Sequence, residues 1–81
     1  HFFTVELKVT RINSVRFSPH QIAFHVQHPK NSFIMVQHRG PCAVKLYEGS
    51  RIMELDALGL ALEPLCLGLE ACNLYFTELG A

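Results

Sequence analysis

Residues 3–10, Phe-Thr-Val-Glu-Leu-Lys-Val-Thr, alternate one apolar side chain with one polar side chain over their whole length. A period of two is the signature of a half-buried β-strand, here with Phe3, Val5, Leu7 and Val9 on the inner face. Asn13-Ser14 is a turn signal, and Val15-Arg16-Phe17 reads as a short second strand. A three-residue loop over residues 12–14 sets Val9 against Phe17. Ser18-Pro19 then breaks the pattern, because proline cannot donate to a ladder. Alternation resumes over residues 21–28, with Ile22, Phe24 and Val26 on one face. Pro29-Lys30-Asn31-Ser32 is a turn cluster, and residues 33–38 return as a partner strand. A turn centred on Lys30-Asn31 sets Val26 against Met35 and Phe24 against Gln37. On the opposite face it sets His25 against Val36 and Ala23 against His38.

The most self-consistent pairing lies in residues 43–56, AVKLYEGSRIMELD. A hairpin turning at Gly49-Ser50 sets Glu48 against Arg51, Tyr47 against Ile52, Leu46 against Met53, Lys45 against Glu54 and Val44 against Leu55. Opposite charges and apolar groups match on both faces, and a slip by one residue loses every match.

Residues 57–70, ALGLALEPLCLGLE, admit two readings. As strands folded at Glu63-Pro64, leucine meets leucine throughout. As a helix, Leu55, Leu58, Leu62, Leu65 and Leu69 form a stripe. Pro64 breaks that helix, and Gly59 and Gly68 weaken it, which favours strands. Leu74 to Thr77 then supplies a closing strand. Turns every eight to ten residues predict an all-β domain, a small antiparallel two-layer sandwich or partly open barrel spanning residues 1–81. An α+β fold with a helical leucine-rich third is the alternative. Within that third, Leu67-Gly68-Leu69-Glu70-Ala71-Cys72-Asn73-Leu74 resembles the core of a leucine-rich repeat. The resemblance covers eight residues; Pro64 stands where the repeat's leading leucine belongs, and the first 56 residues do not fit the family.

Composition adds a demand for partners. The chain has 81 residues, 49% of them hydrophobic and 17% charged, below the usual quarter or so for charge. A domain this small cannot bury all of that apolar surface, so a protein partner or a second copy is expected to cover some of it. No apolar run approaches the roughly 18 residues of a membrane span. With His1 at its start and no basic-then-apolar leader, the chain reads as an excised or processed part of a larger protein. Three cysteines, Cys42, Cys66 and Cys72, and no N-x-S/T acceptor lean toward a reducing intracellular compartment.

Charge is divided unevenly. Residues 1–41 carry Lys8, Arg11, Arg16, Lys30 and Arg39 against Glu6 alone, a net of +4; residues 42–81 carry Lys45 and Arg51 against six acids, a net of −4. All five histidines sit in the basic half. One consequence is mutual neutralisation of packed halves. The other is an anion-binding surface for nucleic acid or an acidic lipid, using Arg11, Arg16, Lys30 and Arg39. Nucleic-acid stacking needs exposed aromatics, whereas the alternation turns Phe3, Phe17 and Phe24 inward.

Candidate chemistry is thin. The second hairpin sets His25 and His38 on one face at diagonal positions about 7–8 Å apart, with Cys42 four residues on. These three are a candidate metal-ligand set, and zinc wants three or four ligands in tetrahedral geometry. No nucleophile elbow and no phosphate-binding glycine loop occurs. The expectation is a non-enzymatic protein-interaction or structural module, without a cofactor, using a sheet edge or an apolar face, with its own copy as one candidate partner. The anion-binding domain is the alternative.

Overall fold

The computed structural model describes residues 3–39 and 43–79. Strand β1 (Thr4–Thr10) forms where the alternation predicts it. Helix α1 (Pro19–Gln27) comes next, then β2 (Ser32–His38), β3 (Ala43–Glu48), α2 (Ile52–Leu58), β4 (Cys66–Leu67) and α3 (Leu69–Leu79). Tight 3₁₀ turns at Gly49–Arg51 and Gly59–Ala61 flank α2. The sheet is open, in the order β1-β2-β3-β4. β1 runs parallel to β2, while β2–β3 and β3–β4 are antiparallel. The fold is mixed α+β with three helices among the described residues, which overturns the all-β sandwich or barrel.

Each correction has a local cause. Residues 21–28 form most of α1 instead of a strand. Ser18 Oγ accepts from the Gln21 amide at 3.2 Å, and Gln21 Oε1 accepts from the Ser18 amide at 2.9 Å. This reciprocal cap, with Pro19 at the first helical position, starts a helix before the alternation matters. The helical period then sends Ile22 and His25 inward and leaves Phe24 and Val26 exposed. Residues 15–17 form no strand, although Val15 is buried in the core.

The hairpin over residues 43–56 does not form either. Its first arm is β3, whose partner is β2, with Phe33 opposite Glu48 and Ile34 opposite Tyr47. Its second arm is α2. The run Ile-Met-Glu-Leu-Asp-Ala-Leu is rich in helix formers. As a helix it buries Ile52 and Leu55, three apart on one face. Arg51 Nε meets Glu54 Oε1 at 2.7 Å across one turn, which holds the Glu54 carboxyl below its ordinary range. In the leucine-rich third, α2 stops before Gly59 and Pro64 lies beyond it, so the long leucine stripe is not one helix. Residues 74–77 belong to α3, not to a closing strand.

The sheet is covered on both faces. Ile34, Val36 and Tyr47 pack against Ile52, Leu55, Leu60 and Val15 on one side. Phe33 and Leu46 pack against Cys72, Tyr75 and Phe76 of α3 on the other. This explains why β2 reads as the unbroken apolar run Phe-Ile-Met-Val, the mark of a strand buried on both sides. Tyr47 donates its hydroxyl to the Leu62 carbonyl at 2.9 Å, anchoring the turn after α2.

Burial pushes the Tyr47 phenol, the Cys72 thiol and the Tyr75 phenol above their ordinary values. In the unfolded chain these groups ionise at about 10 for tyrosine and about 8.5 for cysteine. The unfolded chain therefore loses protons first as pH climbs. Stability is full below those values and falls through the alkaline range. Urea midpoints are expected to drop between pH of about 8 and about 10.5, with a shallower drop in Tyr47→Phe. A flat profile over that range contradicts the burial of these groups.

Candidate functional site

β1 is an edge strand, and its hydrogen bonding shows which groups it leaves open. Thr4 N–H donates to the Asn31 carbonyl at 2.9 Å, and the Thr10 carbonyl accepts from Arg39 N–H at 2.8 Å. The even-numbered residues of β1 thus direct their main chain toward β2. The odd-numbered residues Val5, Leu7 and Val9 direct theirs outward, where the sheet has no further strand among the described residues.

The side chains of the same odd residues lie on the α3 face. Phe3 stacks on Phe76 of α3 at 5.1 Å, and Phe33 meets Phe76 edge-on at 5.5 Å. That cover ends short of the carboxyl end of β1. Leu7 is 71% exposed and Val9 55% exposed. A groove of about 260 Å³ runs beside them, lined also by Met35, Gln37, Val44 and Leu69. The even residues point the other way. Glu6 reaches His25, and Lys8 reaches Gln21 Oε1 at 3.0 Å with its ammonium 5.2 Å from the Phe17 ring centre.

A buried polar chain lies under α1. Glu6 Oε1 is 3.1 Å from His25 Nε2, and His25 Nδ1 is 2.8 Å from Ser32 Oγ. Ser32 in turn donates its hydroxyl to the His28 carbonyl at 2.6 Å. The Ser32 proton is therefore committed, and His25 Nδ1 donates to Ser32 Oγ. The order acid–histidine–serine imitates a hydrolytic triad, but His25 and Ser32 are fully buried. The serine hydroxyl points to a carbonyl and has no access for a substrate. The chain's work is to tie β1, α1 and β2 together.

The basic residues separate into two places. Thr10 and His38 are partners in the β1–β2 register, so Arg11 and Arg39 leave the sheet next to one another. His38 Nε2 donates to the Arg11 carbonyl at 3.3 Å. Arg16 lines a groove of about 270 Å³ with Lys8, Thr10 and Ile12 on the same flank. Lys30 precedes β2 and sits at the opposite end of the sheet. His25 and His38 likewise belong to opposite ends of β2, because Ser32, the His25 partner, opens the strand and His38 closes it. Six strand steps set those ends about 20 Å apart. Cys42 lies outside the described residues. Among the described residues no group of three histidine, cysteine, aspartate or glutamate side chains is placed to hold a metal. Phe24, expected inward, is exposed and stacks on His28 at 4.5 Å.

No family model, curated protein or solved structure matches the chain. Its functional reading therefore stands on geometry.

From the sequence a sheet edge or an apolar face was only an expectation, with no strand assigned to it. Sequence reasoning missed the Glu6–His25–Ser32 chain altogether, since 19 and 7 residues separate its members. The one available signal was the helix start at Ser18-Pro19, which turns residues 21–28 from a strand into the helix that carries His25.

Proposed function

We propose that this chain is a non-enzymatic interaction module that takes an extended protein segment along the outer edge of β1. One observation carries the reading: the outward main-chain groups of Val5, Leu7 and Val9 stand beside the exposed side chains of Leu7 and Val9. An added strand gains main-chain hydrogen bonds at the edge and apolar contact at the groove, the two components of strand-addition binding. Charged residues commonly blunt such edges. Here Glu6 and Lys8 turn to the α1 face, where they meet His25 and Gln21, so neither charge stands on the face that carries Leu7 and Val9.

A blocked heptapeptide alternating valine with threonine is a suitable probe. It is expected to slow hydrogen exchange at the Val5, Leu7 and Val9 amides and to leave Glu6 and Lys8 unchanged. Unaltered exchange at all three amides, up to the peptide's solubility limit, overturns the reading.

The adjacency of Arg11 and Arg39 favours a second reading, an anionic partner such as nucleic acid or an acidic lipid surface. Open α/β sheets commonly hold ligands beyond the carboxyl ends of parallel strands, which is where these two residues stand. Its signature is retention on an anionic resin that falls with salt and is lost in Arg11→Gln/Arg39→Gln. Salt-insensitive, negligible retention rules it out.

A further inference from the structure

The sequence of β1, Thr4-Val5-Glu6-Leu7-Lys8-Val9-Thr10, reads alike from either end apart from the opposite charges around Leu7. We propose that the occupant of the β1 edge is β1 of a second copy, antiparallel about a two-fold axis through Leu7. The proposal rests on the edge reading above and names its partner.

Leu7 meets Leu7, Val5 meets Val9, and Thr4 meets Thr10 on the two strands. Glu6 meets Lys8 in both directions, so two opposite-charge pairs form from one strand sequence. The main chain agrees with the side chains. Val5, Leu7 and Val9 are the residues whose amides and carbonyls face outward. In this register each of them lies opposite another of the set, and each such pair exchanges both of its bonds. Self-complementarity of this kind is what a two-fold interface requires.

The neighbouring registers fail on charge or on face. An axis through Glu6 sets glutamate against glutamate, and an axis through Lys8 sets lysine against lysine; both are unfavourable directly across a strand pair. A slip by one residue opposes outward groups to inward ones and exchanges the two faces. The Leu7 axis also treats two unfinished features of the single chain. Leu7 and Val9 gain apolar neighbours across the seam, and the two grooves beside them become continuous. Glu6 Oε2 makes no hydrogen bond among the described residues, its nearest ammonium being Lys8 at 3.5 Å. Lys8 of the second copy brings another ammonium to that carboxylate.

An interface of one strand pair is at the small end of the range, so dissociation is expected on the order of micromolar. Sedimentation velocity of the full chain from about 1 to about 200 μM tests this directly. The unaltered chain is expected to pass from monomer to dimer over that range. Exchange at the Val5, Leu7 and Val9 amides is expected to slow as concentration rises. Leu7→Lys and Leu7→Glu each set like charges against one another on the axis. Each is expected to weaken the dimer by about 100-fold or more. Mixed in equal amounts, the two variants are expected to form a one-to-one heterodimer, since residue 7 faces residue 7 only in this register. Leu7 is largely exposed, so both variants are expected to keep the far-ultraviolet circular dichroism of the original chain.

A monomer at every concentration, or a dimer that survives Leu7→Lys, overturns the proposal. So does failure of the mixed variants to associate. The heptapeptide separates the two levels. If the chain is monomeric but the peptide still protects the β1 amides, self-pairing fails and the strand-addition reading stands. If neither occurs, both fail.

Discussion

Gly49→Ala is expected to destabilise the chain by about 2–4 kcal/mol, through overpacking and the loss of buried hydrogen bonds. A methyl group at Gly49 falls on the Ser32 hydroxyl and comes within 3.1 Å of His25 Nδ1. Neither atom has room to yield. Ser32 Oγ is held on one side by the His28 carbonyl and on the other by His25, and His25 is held by Glu6. Displacing the hydroxyl takes its partner from the imidazole of His25, which is fully buried. The 3₁₀ turn at Gly49–Arg51 leads directly into α2, so the strain is passed on to Ile52 and Leu55. A double-mutant cycle measures the mechanism. Ser32→Ala alone is expected to cost about 1–3 kcal/mol for the lost buried hydrogen bonds. Gly49→Ala in that background is expected to cost clearly less than in the original chain, because the obstructing oxygen is gone. Additive urea midpoints would show that the clash lies elsewhere.

Gly59→Ala is expected to cost a similar amount, about 2–4 kcal/mol, for a different reason. Gly59 ends α2 at φ 62° and ψ −148°, a conformation close to glycine-only. A methyl group there also falls on the Asn13 carbonyl oxygen. That oxygen accepts from Leu60 N–H at 2.6 Å, the bond that holds residues 11–14 against the turn after α2. Moving it lifts the segment that carries buried Val15. Gly68 is the internal control. It also has a positive φ, 93°, but a methyl there meets nothing. Gly68→Ala is therefore expected to cost only the backbone part, about 1 kcal/mol. Thermal or urea unfolding of the two variants side by side settles the comparison. Equal losses would mean that the Asn13 contact contributes nothing.

Gly49 was visible in the sequence as turn punctuation and Gly59 as a weak point for a helix, but their neighbours were not. Gly49-Ser50 is indeed where β3 ends, yet a helix succeeds it instead of a returning strand. The charge and apolar matches over residues 43–56 distinguish one hairpin register from its own slips. They do not distinguish the hairpin from β3 pairing with β2. The β2 pairing satisfies the same main-chain groups and frees residues 52–58 for their helix preference. The alternation over residues 21–28 failed for a related reason. Apolar residues at Ile22, Phe24 and Val26 fit a strand, yet the reciprocal cap between Ser18 and Gln21 is a stronger local signal, and it was present in the letters. The metal set of His25, His38 and Cys42 depended on that strand; with α1 in its place, the two histidines belong to opposite ends of β2.

The sequence by itself determined β1 and β2 as strands, the breaks at Ser18-Pro19 and Gly49-Ser50, and the surplus of apolar surface over what one small domain can bury. It also contained the near-palindrome of β1, whose meaning depends on where the strand lies. These properties come from interactions within a few residues, which the chain expresses whatever its fold. Only the tertiary structure decided that β1 pairs in parallel with β2 and takes the edge. It also decided that α3 covers Phe3 and Phe33 but not Leu7 and Val9, and that Glu6, His25 and Ser32 meet under α1. Those outcomes are settled by competition among distant segments for the same hydrogen-bonding groups and the same apolar face, and no local pattern records the winner.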